Sequence, residues 1–366
     1  MNLAHLFLPA EGRLSAEDVR ILSRVAPIFP AAWRIGHLWP ARGEQRALGR
    51  FLAVSERKWP LRYPSATRYD ALVAARIGAL PGDHERRLRS ALAACRLLLV
   101  LDAAAADFAP ERLLGTAPLA QGNFRVYRGD LNDPILRVDD YPTGVRPILE
   151  DLSSLHEVVT EIDESGLAFH LGVVPALLDQ TMVAFLRGLK HLVPAMHGYE
   201  HGYAKHSKIL IDAGDPSNQR STVTGFDEFA GRSETEIERT LRQAREELEA
   251  QLARPVRCYI PPNNIAGRAT GGALSAVGFE YVLTERPIAA CALPCIRSDF
   301  YDRSPAFRAE ASTSVASLHA TWEADLRRAG DRESLPRMLG ALSRQRARAR
   351  AETTLIAERL LGALHT

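Results

Sequence analysis

Short apolar runs, each closed by a polar or turn-forming residue, recur along the chain. In the first third, His5–Pro9, Trp33–Trp39 and Arg96–Asp102 read as strands. A helical period runs from Ser15, placed to cap it, through Ile21, Leu22 and Val25, and a second helix is predicted over His84–Cys95. Pro60, Pro64 and Pro81 mark loops. From Pro134 the alternation becomes regular. Strands are predicted at Ile135–Asp139, Ala168–Val174, Leu192–Met196, Val256–Ile260, Tyr281–Thr284 and Val315–His319, with helices at Ile148–Asp163, Thr181–Leu189 and Glu234–Leu252 between them. The last helix opens on a capping box, Ser233 with Glu236 three residues on. Strands separated by helices predict a parallel sheet, and repetition of the unit predicts an open or closed barrel with its chemistry at the C-terminal strand ends. The polar stretch Gly202–Phe226 reads as a loop over the barrel mouth. After His319 the chain turns helical, and Arg344, Arg346, Arg348 and Arg350 read as one solvated helix face. The organisation predicted is an N-terminal α/β domain over 1–130, a barrel over 131–328 and a helical extension over 329–366.

Composition narrows the class. With 366 residues, 46% hydrophobic and 25% charged, the chain is long enough to bury a core without disulfide or metal. Forty-six basic residues against 44 acidic ones argue against binding nucleic acid through bulk charge. Four cysteines are too few for a secreted disulfide scaffold, and Cys291 and Cys295 read as free thiols. The first residues lack the pattern of a signal peptide, and no apolar run is long enough for a transmembrane segment, so a cytoplasmic protein is expected. No glycine-rich phosphate-binding motif is present.

Four stretches carry candidate chemistry, each just after an apolar strand. Asp139 and Asp140 would point opposite ways if strand geometry persists, whereas the turn at Pro142 and Gly144 would bring both to one pocket; alone, such a pair reads as a solvated turn cap. His197 and His201 in HGYEH, spaced i and i+4, would share one face of a helical turn within reach of one cation. Pro261-Pro262-Asn263-Asn264 is either a stiff strand exit or a loop that holds a backbone N–H toward a developing oxyanion. His319 stands at the end of the last apolar strand and, alone, reads as a core histidine bonded to backbone.

In this order, RVDDYPTG, HGYEH, YIPPNN and SLH resemble the polysaccharide deacetylase superfamily, carbohydrate esterase family four and its relatives, over about Pro134 to Leu326. FDEFAG at Phe226–Gly231 resembles a divergent branch of it. The resemblance implies a distorted (β/α)7 barrel holding one divalent metal ion, zinc before others. It implies Asp140, His197 and His201 as metal ligands, Asp139 as the base that deprotonates water, His319 as the acid that protonates the departing amine, and the Asn263 backbone N–H as an oxyanion donor. Around them, Tyr141 and Thr143 are expected to line the groove. His170 either faces the pocket or packs in the core, Glu228 either contacts substrate or caps the next helix, and Trp322 either stacks on a sugar or is core.

Three positions depart from the family pattern. Ile260 stands where an arginine usually pairs with the base, leaving Arg137 or Arg146 to orient Asp139; Gly198 replaces Ser or Thr; Asn263 replaces an aromatic. The function expected is N-deacetylation of an N-acylated amino sugar or glycan-biosynthesis intermediate, nucleotide- or lipid-linked, by metal-activated water. The rivals are a deformylase or other small-metabolite deacylase on the same barrel, and a catalytically silent glycan-binding member.

Overall fold

The computed structural model describes residues 4–8, 16–25, 33–37, 72–76, 97–101, 118–121, 124–129, 135–142, 152–201, 227–284, 288–293, 295–297, 299–300 and 315–365. The helix expected at 84–95, the loop at 202–226, Thr143 and Arg146 lie outside them. The chain divides into two compact units, Met1–Asp133 together with Arg346–Thr366, and Pro134–Gln345.

The first unit holds a six-stranded sheet in the order β2-β1-β3-β4-β6-β5. Its strands are β1 (Ala4–Leu8), β2 (Trp33–His37), β3 (Leu72–Arg76), β4 (Leu97–Leu101), β5 (Ala120–Gln121) and β6 (Phe124–Arg128), with helix α1 at Ala16–Val25. The first four run parallel, while β6 is antiparallel to both β4 and β5. LLLVL of β4 is buried throughout, as a strand covered on both faces must be. β3 and β6 had no counterpart among the expected strands. LVAAR and FRVYR place arginines and alanines where a plain apolar run would be counted.

The second unit is built on an all-parallel sheet. Its strands are β7 (Ile135–Tyr141), β8 (Phe169–Val173), β9 (Leu192–Met196), β10 (Cys258–Tyr259), β11 (Tyr281–Thr284), β12 (Cys295–Arg297), β13 (Asp299–Phe300) and β14 (Val315–His319). The order β12-β11-β10-β9-β8-β7-β14-β13 is chain order bent into a ring, with β14 returning to pair with β7. Among the described residues the ring breaks only between β12 and β13. This is the α/β barrel expected, with eight strand segments rather than seven because the seam is lined by two short ones.

Helices α2 (Ser153–Glu164), α3 (Gln180–Gly188), α4 (Glu234–Leu252), α5 (Arg268–Val277) and α6 (Ala320–Arg328) follow successive strands, and α7 (Ser334–His365) closes the chain. In α4 the apolar residues Ile237, Leu241, Ala244, Leu248 and Leu252 fall on one buried stripe. The capping box is made: Ser233 Oγ accepts from the Glu236 N–H, and Glu236 Oε2 accepts from the Ser233 N–H at 2.9 Å. Arg344, Arg348 and Arg350 are exposed on α7, whereas Arg346, expected on the same solvated face, is half-buried. Among the described cysteines, Cys258, Cys291 and Cys295 are free thiols. No helix among the described residues is long and apolar enough to cross a membrane.

Candidate metal centre

The C-terminal ends of β7, β8, β9, β10 and β14 gather the candidate residues, each placed by its own strand. At the end of β7 the backbone decides where two neighbouring carboxylates go. Asp140 adopts φ of 67°, a left-handed conformation that Asp tolerates better than most residues, and the pairing of β7 with β8 shifts register between Val138 and Tyr141. The bulge frees Asp140 from the side opposite Asp139; Gly144 of the expected turn lies outside the described residues. Tyr141, beyond it, drops into the helix layer.

The HGYEH segment is not helical, contrary to the spacing argument. Gly198 at φ 69° and His201 at φ 61° fold it into an irregular turn that still returns His201 to His197. Gly198 is needed on two counts. Its φ is glycine's, and a Cβ there would collide with Glu228 Oε2 and lie 2.6 Å from Pro262 Cγ. Gly172 on β8 makes a second close approach, since its Cβ would sit 3.3 Å from His197 Cβ and 3.4 Å from the Asp139 Cα. A small residue in the middle of FHLGV was the missed signal for this contact.

Asp140, His197 and His201 form a buried cluster. His197 Nε2 lies 3.1 Å and His201 Nε2 3.3 Å from Asp140 Oδ1, and the two nitrogens are 3.1 Å apart. Among the described residues these are the one group of three or more His, Cys, Asp or Glu side chains placed to hold a metal ion together. Bonds of about 2.0–2.1 Å to a tetrahedral ion put ligand atoms roughly 3.3–3.4 Å apart. The triangle of one oxygen and two nitrogens therefore fits one face of such a site, with its remaining position open. His197 Nδ1 faces the Ile260 carbonyl at 3.0 Å; a carbonyl only accepts, so Nδ1 carries the hydrogen and Nε2 is left with the lone pair an ion would need. Burial by itself raises the Asp140 carboxyl, but His319, His197 and His201 around it hold it well below the usual carboxylate range.

Asp139 stands beside this cluster and is paired with Arg137, two residues earlier on the same face of β7. Arg137 Nε donates to Asp139 Oδ1 at 2.7 Å and Nη2 to Oδ2, a two-point fork in which the arginine is fully buried. Arg137 Nη1 donates in turn to Asn264 Oδ1 at 2.8 Å, and Asn264 takes φ of 57° to reach it. Of the two arginines considered for orienting Asp139, Arg137 makes this contact, and Arg146 lies outside the described residues.

His319 follows from the end of β14. Its Nε2 is 3.8 Å from Asp140 Oδ2, its side chain is 14% exposed against 2% for the ligands, and Trp322 packs on its ring at 4.3 Å between centroids. Asn263 lies in the Pro262–Asn264 turn with φ of 55°, its side-chain nitrogen buried without a partner among the described residues.

Two expected groove residues lie elsewhere. Tyr141 is fully buried; its hydroxyl meets His156 Nε2 at 3.0 Å, and His156 in turn stacks on Phe185 at 3.9 Å, so it belongs to the packing of α2 and α3 on the barrel. Its place in the groove is corrected accordingly, since the bulge at Asp140 changes which side Tyr141 faces. His170 is buried with Nε2 2.5 Å from the Tyr281 hydroxyl, and burial pushes it down to about 4. It is a core histidine. Between pH 6.5 and about 4 the unfolded chain binds a proton at this position that the folded chain refuses, so stability falls as pH is lowered through that window. Urea titrations at pH 7 and pH 4 should show His170→Gln losing less stability over the interval than the wild type, by about 2–3 kcal/mol.

Glu228 accepts hydrogen bonds from the Tyr199 and Glu200 backbone N–H groups rather than capping α4, which Ser233 does. Burial raises its carboxyl, opposed by those two bonds.

No family model and no curated protein matches the chain. Similar solved structures include the Xyl-CE4 domain of a multidomain xylanase from the hindgut metagenome of Trinervitermes trinervoides, at 12% identity and a TM-score of 0.36 over 58% of this chain and 84% of that one. A family 4 carbohydrate esterase from Streptomyces lividans in complex with acetate is similar at 11% identity and a TM-score of 0.35, over 58% and 89%. The likeness is distant, and the chemistry of the site rests on its own geometry.

Proposed function

We propose that the protein is a metal-dependent amide hydrolase that removes an N-acyl group, acetyl first among them, from an amino sugar or glycan-biosynthesis intermediate. The observation that carries this reading is the buried Asp140–His197–His201 triangle with an arginine-held second aspartate beside it. A zinc or similar ion held by those three residues would lower the pKa of a bound water and polarise the acyl oxygen.

Everything else falls to the chain. Asp139 takes the proton from the attacking water, and Arg137 fixes the carboxylate in one orientation for it. The amine leaves only if it is protonated. His319, more exposed than Asp139, Asp140, His197 and His201 and braced by Trp322, delivers that proton. The Asn263 backbone N–H donates to the acyl oxygen as charge builds on it. Ile260 in the place of the family arginine was the feature that favoured a silent binding module. Arg137 supplies the missing partner from β7 instead, which supports the hydrolase.

A cytoplasmic setting favours a nucleotide- or lipid-linked intermediate as substrate over finished polymer. The test is direct. Zinc-loaded protein, incubated with nucleotide-linked N-acetylated and N-formylated amino sugars, is followed by mass spectrometry. Loss of acetyl that stops with chelator and returns with zinc is the expected outcome, with one ion per chain by metal analysis. Loss of formyl alone selects the deformylase, and protein that takes up no metal after reconstitution overturns the reading.

A further inference from the structure

Among the buried carboxylates that the roles above leave unused, Asp227 and Glu228 sit together on the turn that leads into α4. Both accept from backbone or hydroxyl donors of other segments, and Asp227 also from an N–H of its own turn. The two oxygens of Glu228 accept from the Tyr199 N–H at 3.0 and 3.1 Å, and Oε1 also accepts from the Glu200 N–H at 2.6 Å. Those amides belong to the turn that joins His197 to His201.

That turn needs an outside partner. A histidine pair spaced i and i+4 on a helix is fixed by the helix's own hydrogen bonds. Here the segment is not helical, and a left-handed Gly198 and a left-handed His201 bracket Tyr199 and Glu200. The N–H groups of these two residues find their acceptor in Glu228. The approach is so close that a Cβ on Gly198 would occupy the space of the Glu228 carboxylate.

Glu228 is itself held from both sides. Asp227 Oδ2 accepts from the Gly267 N–H at 2.7 Å and from Thr270 Oγ1 at 2.8 Å, at the start of α5. Asp227 Oδ1 accepts from the Phe229 N–H at 3.0 Å, and the Phe229 ring is buried in the core. The turn carrying Glu228 is thus tied to the helix that follows the Asn263 loop.

The geometry points to Glu228 as a positioning residue of the metal centre: it clamps the 198–200 turn and so delivers His201 Nε2 beside His197 and Asp140. This rests on the reading that those three residues hold an ion. Residues that orient ligands from outside the ligand set typically change metal affinity about 10- to 100-fold when altered.

The test uses the full chain, stripped with chelator. Zinc affinity is measured by competition with a chromophoric chelator, cobalt loading by its visible bands, and the melting temperature of the metal-free protein alongside. Glu228→Gln, in which an amide NH2 replaces one of the two acceptors, is expected to weaken zinc binding about 10- to 100-fold and to alter the cobalt bands. Glu228→Asp, which keeps a carboxylate one methylene further back, should fall between it and wild type. Glu236→Gln removes a carboxylate cap remote from the site; it is expected to lower the melting temperature slightly and leave zinc affinity as it was. Unchanged affinity in Glu228→Gln overturns the inference while leaving the metal reading standing. Wild-type protein that binds neither ion overturns the metal reading and the inference with it. Should Glu228→Gln fail to fold, Glu228→Asp is judged in its place, and unchanged affinity there overturns the inference equally.

Discussion

Asp139→Asn should keep its metal and lose turnover by about 100- to 10,000-fold, the usual contribution of a positioned general base. The two halves of that expectation come from different features of β7. Metal is expected to be retained because the three atoms placed to hold an ion belong to Asp140, His197 and His201, while the Asp139 carboxylate is engaged by Arg137. Turnover falls because an amide takes no proton at neutral pH. Asparagine still offers Arg137 one oxygen in place of two, so part of the orientation survives. The measurement pairs metal content per chain with the rate of acyl release under saturating substrate. Full rate with full metal content would remove Asp139 from the chemistry. Loss of both metal and rate would place Asp139 among the ligands.

Much of this site could be read from the sequence because its residues follow apolar runs, and the ends of parallel strands in one barrel converge. Leu192–Met196, Tyr281–Thr284 and Val315–His319 are strands at the bounds predicted, and His197 and His319 stand where those strands stop. What could not be read depends on backbone angles and on contacts between distant segments. The alternation rule put Asp139 and Asp140 on opposite faces, and nothing in RVDDYPTG shows that Asp140 adopts a positive φ.

The i, i+4 spacing of HGYEH found the right pair through the wrong geometry, because a turn closed by two left-handed residues also brings them together. Gly198 looked like a departure from the family pattern. It is explained by Glu228, thirty positions away in the chain and in the space a side chain at Gly198 would need. Arg137, one of the two arginines named from the sequence as partners for Asp139, makes that contact, with Asn264 completing its bonds.

Arg137→Met is expected to destabilise the second unit by about 3–5 kcal/mol, the cost of leaving one member of a buried ion pair without the other. Arg137 is the largest fully buried side chain among the described residues, and methionine fills much of its volume with no charge. The loss therefore reports the stranded Asp139 carboxylate and the Asn264 oxygen rather than a cavity. Breaking the pair from one side and removing it altogether should differ. In Arg137→Met/Asp139→Leu no buried charge is left uncompensated at the pair, and much of the lost stability should return, although the double variant has no base and no turnover. Urea midpoints for the wild type, both single variants and the double variant form the cycle. A single Arg137→Met variant as stable as wild type, or a double variant no better than the single, would mean that the fork between Arg137 and Asp139 contributes nothing. The explanation of how the chain dispenses with an arginine at Ile260 would then fail as well. If the cycle closes as expected, the same contact that holds the base also holds β7 against the Asn264 loop, so the fold and the orientation of Asp139 depend on one buried pair.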